Sequence, residues 1–137
     1  MSCALVACEL GIARVDLDDE AVTLLDDASI PRGGPVETGL PLVVDADAAG
    51  ATVVAVVDRR PPLVVSHDAG ATWSEVGAGL PAGVAVAISA EHPDRVLFAS
   101  RERLFVSTDG GRFWRALALE LPGITAVSWC EGAEGTG

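Results

Sequence analysis

The chain has no tyrosine and no lysine, and aromatic residues make up only 4 % of its 137 positions. With so few large rings, a core must come from small apolar side chains. Half of the residues are apolar and Ala and Val dominate, which suits tightly stacked sheets. Lacking lysine, the chain has nine scattered arginines as its permanent cations against 20 acidic residues. The formal charge is −11 and the pI is near 4.3. Such a chain repels phosphate backbones and offers no basic patch, which excludes a nucleic-acid partner. No apolar run approaches the roughly 18 residues of a membrane-crossing helix, so no membrane partner is expected. The start, MSCALVACEL, has neither the basic leader nor the full apolar stretch of a secretion signal. Three cysteines, an odd number, fit a reducing compartment better than a disulfide framework, and the cytoplasm is the expected location. His67 and His92 have no Cys or carboxylate at ligand spacing, so no metal site is expected, and no cofactor is implied.

What the chain does have is a repeat. Ser66, Asp68, Gly70 and Trp73 recur as Ser107, Asp109, Gly111 and Trp114, all at a spacing of 41. Leu80-Pro81 recurs as Leu121-Pro122 at the same spacing, and Leu40-Pro41 precedes it by 40. Short Val-rich runs lie between these marks, at 52–57, 63–65, 84–88, 96–99 and 104–106, broken by Pro, Gly and Asp clusters. That is the pattern of short antiparallel strands. No segment sustains a helical period over three turns, so the chain reads as all-β. At 137 residues it has room for one domain with a real core. In each repeat, the Ser and Asp side chains can accept hydrogen bonds from the N–H groups of a tight turn. The Gly fits a position with positive φ. The Trp then starts the next strand and buries its ring against a neighbouring sheet.

The pattern S-x-D-x-G-x-x-W, carried by VSHDAGATW (65–73) and VSTDGGRFW (106–114), resembles the Asp-box of the BNR repeat family. That family includes sialidase-type propellers, other glycosidases and photosystem assembly factors. The resemblance extends through most of 92–114 and implies a β-propeller whose boxes are structural, on blade turns away from any catalytic centre.

A third, degenerate copy lies at the N-terminus. Residues 4–15 fall without gaps on 96–107, but the Ser, Asp, Gly and Trp of the box are gone. Residues 121–131 fall on 80–90, so the first strand of another blade begins at the C-terminal end. The expected organisation is a blade fragment at 1–39 with an insertion at 26–39, blades at 40–81 and 82–122, and a closing strand at 123–131. This gives three four-stranded antiparallel blades, with the seam blade split between the two ends. Propellers have about four to eight blades, so two chains are expected to combine into a homodimer that closes a six-bladed ring. In that ring the closing strand of one chain completes the seam blade of the other. Cys3 and Cys130 correspond to Arg95 and Ser89, which flank a hairpin, so they lie opposite across the seam. They are expected as free thiols that meet between chains. Cys8 reads as ordinary strand packing.

The retaining sialidase mechanism needs a Tyr nucleophile, which this chain lacks. Other glycosidases need two carboxylates, and Asp45, Asp47, Glu91 and Glu131 are candidates at the ends of innermost strands. Solvated turn carboxylates are the commoner reading of such residues. The acidic run Asp16, Asp18, Asp19 and Glu20 lacks the Gly and distal Glu of a calcium loop and aligns with a blade turn. The expectation is a non-catalytic propeller scaffold or binding module that presents loops and a central channel to a protein or small-molecule partner. A glycoside hydrolase or lyase using channel carboxylates is the alternative.

Overall fold

The computed structural model describes residues 3–26, 30, 36 and 38–130, and all of their regular structure is strand. The first-box sheet runs β4 (Val43–Ala49), β5 (Thr52–Val57), β6 (Leu63–Ser66) and β7 (Ser74–Val76), paired in that order. The second-box sheet runs β8 (Ala85–Ile88), β9 (Val96–Ala99), β10 (Leu104–Ser107) and β11 (Arg115–Ala116). The seam sheet places β12 (Ala126–Trp129) beside β1 (Cys3–Cys8), followed by β2 (Gly11–Asp16) and β3 (Val22–Leu25). Every pairing is antiparallel, as short hairpin connections require.

The strands are short because the Val-rich runs are short, and both faces of each sheet are apolar because two layers need covering. In β5 alternate residues divide between the faces. Val54 and Val56 join a cluster with Val86, Ile88, Val96 and Phe98 of the second-box sheet, while Ala55 and Val57 join a smaller cluster on the far side. The other face of the second-box sheet, through Ala85, Leu97, Ala99 and Leu104, packs on Ala4, Val6, Val15 and Trp129 of the seam sheet. The second-box sheet is thus the filling between two neighbours, and its Phe98 is fully buried. The inner strands β4, β8 and β12 follow one another along the stack, as in successive blades of a propeller. No described strand of the seam sheet contacts one of the first-box sheet. The three sheets form an open arc.

The seam is closed differently from the expectation. Ala126–Trp129 pairs with Cys3–Cys8 of the same chain, with Ala4 opposite Trp129 and Ala7 opposite Ala126. Cys130 N–H donates to the Cys3 carbonyl at 3.0 Å, and the two cysteines are bonded to each other across 127 residues of sequence. The free thiols expected to meet between two chains are therefore a disulfide within one. Antiparallel pairing sets their Cα atoms 5.3 Å apart, well inside the usual bridging range. Bonded cysteines persist in oxidising surroundings, so the argument from cysteine count no longer supports the cytoplasm. No helix of the described residues is long and apolar enough to cross a membrane. The insertion expected at 26–39 falls mostly outside the described residues, as do Arg32 and Glu131.

Candidate functional site

The two boxes fold as near-identical hydrogen-bonded turns. Ser66 Oγ donates to Asp68 Oδ1 at 2.7 Å and accepts the Gly70 N–H at 2.8 Å. In the second box Ser107 Oγ donates to Asp109 Oδ1 at 2.8 Å and accepts the Gly111 N–H, also at 2.8 Å. Both serines are 1 % exposed, so their hydroxyls are satisfied inside the turn. Gly70 and Gly111 take φ of 92° and 96°, a conformation that L side chains rarely adopt. The aspartates close the other half of each turn. Asp68 accepts the Thr72 N–H at 2.8 Å and the Thr72 hydroxyl at 2.6 Å, while Asp109 accepts the Phe113 N–H at 3.0 Å. Thr72 is the larger influence on Asp68, followed by Ser66, and together they hold its carboxyl down to about 2. Asp109 is also lowered, first by the Phe113 amide and then by Ser107.

Trp73 and Trp114 sit immediately before β7 and β11. The Trp114 ring meets Phe98 edge-on at 6.1 Å between centroids, and its Nε1–H donates to Gly111 O at 2.9 Å. Trp73 packs on the far face of the first-box sheet. The box thus ties its own turn and supplies a ring to a blade face.

The degenerate third turn has a substitute that the alignment missed. Asp16, one place before the position matched to Asp109, accepts the N–H groups of Asp18 at 2.9 Å and Asp19 at 3.1 Å. These amides, Asp19 first, lower its carboxyl. Glu20, from the same acidic run, accepts the Ala118 N–H at 2.6 Å, and Arg115 Nη2 donates to the Leu17 carbonyl, also at 2.6 Å. The run is a turn that grips the neighbouring sheet. The signal available in the sequence was an Asp two residues before another Asp at a strand end, the pattern of an Asx turn.

The inner-strand carboxylates point sideways. Asp45 Oδ2 accepts the Val86 N–H at 3.0 Å and Asp47 Oδ2 accepts the Ile88 N–H at 2.9 Å. Just after β8, the Ser89 N–H donates to the carbonyl of Arg95, just before β9, and by alternation those of Val86 and Ile88 turn to the inner edge. Two carboxylates of β4 are therefore the acceptors for the inner edge of β8. Glu91 lies exposed in the β8–β9 turn. His67 and His92 are exposed in separate turns, and among the described residues no group of three His, Cys, Asp or Glu is placed to hold a metal ion.

At the opposite end of the strands from the boxes, a recess of about 150 Å³ lies between the β5–β6 turn and the segment leading to β8. Val57, Pro62, Leu80 and Ala82 form apolar walls, and Asp58, Arg59 and Arg60 line it with charge. Arg59 pairs with Glu75 at 3.4 Å, with both side chains largely in water.

A scan against protein-family models matches none, and a search of curated proteins finds no match. Among solved structures, the crystal structure of a GH74 enzyme from Niastella koreensis is similar to this chain at 25 % identity and a TM-score of 0.49. The match covers 58 % of this chain and 12 % of that one, so this chain corresponds to a small part of that enzyme's length.

Proposed function

We propose that the protein is a non-catalytic module of the BNR Asp-box propeller type, which presents its blade-end loops to a protein or small-molecule partner. The observation that carries this reading is the employment of the inner-strand acids. Asp45 and Asp47 each accept a backbone N–H of the next blade, whereas an acid/base pair needs carboxyls aimed at a shared substrate. The carboxyls of Asp16, Asp68 and Asp109 are all lowered by hydrogen bonds within turns. A general acid at neutral pH needs the opposite shift. The recess lined by Arg60 is a concave feature suited to a small ligand, and a guanidinium group beside apolar walls favours a small carboxylate, with Asp58 and the Glu75-paired Arg59 also lining it.

The test has two arms. Purified protein is incubated with fluorogenic glycosides, a sialoside included, between about pH 4 and 8 against a heat-killed control. No turnover is expected. Turnover that disappears in Asp45→Asn or Asp47→Asn would establish the glycoside hydrolase alternative instead. In the second arm, succinate is titrated at constant ionic strength while amide resonances are followed. Shifts centred on Arg59, Arg60, Ala82 and Gly83 are expected; unchanged spectra would remove the recess as the ligand site.

A further inference from the structure

Among the described residues the arc leaves two faces without a neighbouring sheet, and the cross-strand registers show what each is built to meet. Across the first-box sheet, one row runs Asp47–Val54–Val65 and faces the second-box sheet. The matching row in the second-box sheet, Ala87–Leu97–Val106, faces the seam sheet. The same row in the seam sheet is Ser128–Leu5–Arg14, and beside it runs Ala126–Ala7–Ile12. These rows lie on the face directed away from the second-box sheet. Leu5, Ala7 and Ile12 are half-buried there, with no sheet of the described residues over them. At the other end, the rows Ala46–Ala55–Val64 and Ala48–Val53–Ser66 occupy the far face of the first-box sheet. Their counterparts Val86–Phe98–Phe105 and Ile88–Val96–Ser107 are the surface on which the second-box sheet receives the first. One end of the arc therefore carries the donor side of a blade contact, and the other end carries the receiving side.

We infer that a second copy of this chain is the occupant of both faces: the seam sheet of each copy packs on the first-box sheet of the other, closing a six-bladed ring. Two features support a copy of this chain over another partner. The two faces repeat, row for row, the two halves of a contact the chain already makes within itself. They are complementary in volume, with Leu5 and Ile12 on one side against Ala46 and Ala48 on the other. Two identical arcs joined head to tail close under a two-fold axis, and six blades fall within the range propellers adopt. Because β12 is paired within its own chain, the ring forms by face-to-face packing and exchanges no strand. The inference rests on the propeller reading above, but its test is independent of the enzymatic one.

Sedimentation velocity and light scattering on the intact protein decide it. The expected mass is about 28 kDa, twice the 14.0 kDa of one chain. A folded monomer, or a polymer growing with concentration, would overturn the closed ring and leave the binding-module reading standing; glycoside turnover by a dimer would do the reverse. Ile12→Arg on the seam face and Ala48→Arg on the exposed inner strand of the other face should each give monomer with an unchanged β-sheet circular dichroism spectrum. Mixing the two variants restores one of the two contacts, so dimer should partly return in the mixture alone. If Ala48→Arg remains fully dimeric while Ile12→Arg does not, the contact is a symmetric seam-to-seam one and the head-to-tail ring is wrong. If either variant loses its sheet spectrum, Leu5→Gln and Ala46→Gln repeat the comparison with smaller changes.

Discussion

Replacing Asp47 by alanine removes the acceptor of the Ile88 N–H, a 2.9 Å bond between the inner strands of adjoining blades. Asp45→Ala does the same to the Val86 N–H at 3.0 Å. Val86 and Ile88 are 3 % and 5 % exposed, so the released donors lie where water is scarce. A charge-assisted hydrogen bond contributes about 1.5–3 kcal/mol, and an abandoned donor costs about 1–3 kcal/mol. Each substitution should therefore destabilise by about 1–3 kcal/mol out of a total near 5–15 kcal/mol. With an unfolding entropy of about 2.1 cal/mol/K per residue, that is a fall in Tm of about 3–10 °C. The double variant should lose less than the sum, because both bonds join the same pair of strands and opening one loosens the other. Asparagine keeps a carbonyl oxygen at nearly the same place, so Asp47→Asn should retain most of the stability. The assay is urea unfolding followed by tryptophan fluorescence, at one fixed protein concentration so that any self-association cancels. If both alanine variants unfold within about 0.5 kcal/mol of the parent protein, the carboxylates are not holding the blades together, and their proximity to β8 has another purpose.

Phe98→Ala empties a fully buried site and should cost about 3–5 kcal/mol in the same titration; a loss below about 1 kcal/mol would show that the second-box sheet is loosely packed. Gly83→Ala would place a Cβ 2.5 Å from the buried Phe98 ring and 2.9 Å from Val56, so destabilisation of about 1–3 kcal/mol is expected, and a neutral result would contradict that packing. Asp68 is held down to about 2 in the fold against an ordinary 3.8. Its stabilising effect is therefore complete above about pH 4 and is lost as pH falls towards 2, so the stability gap between the parent and Asp68→Asn should close over that interval. A gap independent of pH would show that the carboxylate charge is immaterial to the turn. Reducing the Cys3–Cys130 bond, or replacing both residues by serine, should lower the free energy of urea unfolding by about 2–4 kcal/mol, since the bond closes nearly the whole chain; identical midpoints with and without reductant would mean the bond contributes nothing.

The boxes were legible in the sequence because their work is local. Ser66, Asp68 and Gly70 satisfy one another within five residues, and the same spacing at Ser107, Asp109 and Gly111 must fold the same way. Strand runs were legible for a similar reason, since Val-rich segments bounded by Gly and Pro leave few alternatives. The roles of Asp45 and Asp47 were not legible, because they depend on which way β4 turns its faces. The connection from β4 to β5 is the short Gly50-Ala51 turn, whereas β8 and β9 are joined by residues 89–95. The Leu-Pro marks at 40 and 80 set the β4–β8 spacing at 40, whereas the boxes repeat at 41, so the spacing within a blade is not uniform and the box spacing does not fix the facing of β4. Since side chains alternate, one residue moves a carboxylate to the other face of the sheet. The disulfide escaped for a different reason. An odd cysteine count argues about compartments on average, while Cys3 and Cys130 are brought together by pairing between the two ends of the described chain.

The inner edge is where the blades differ most, and the difference follows one row across the arc. Where β4 has Asp47, β8 has Ala87 and β12 has Ser128. An inner strand has one edge without a strand partner, and its exposed amides invite either water or another chain. Between the first two blades, Asp45 and Asp47 meet that need by accepting the amides of Val86 and Ile88. Between the second blade and the seam, the small Ala87 leaves room for the Trp129 ring, whose Nε1–H donates to the Ala87 carbonyl at 3.2 Å. The strand β8 is thus held from one side by acceptors and from the other by a donor, with no pair of side chains used twice. Ser128 already donates its hydroxyl to the Trp129 carbonyl at 3.2 Å, which leaves its oxygen in the role of acceptor. It lies on the row that carries the acceptor Asp47 in β4, on the face of the seam sheet turned away from the second-box sheet.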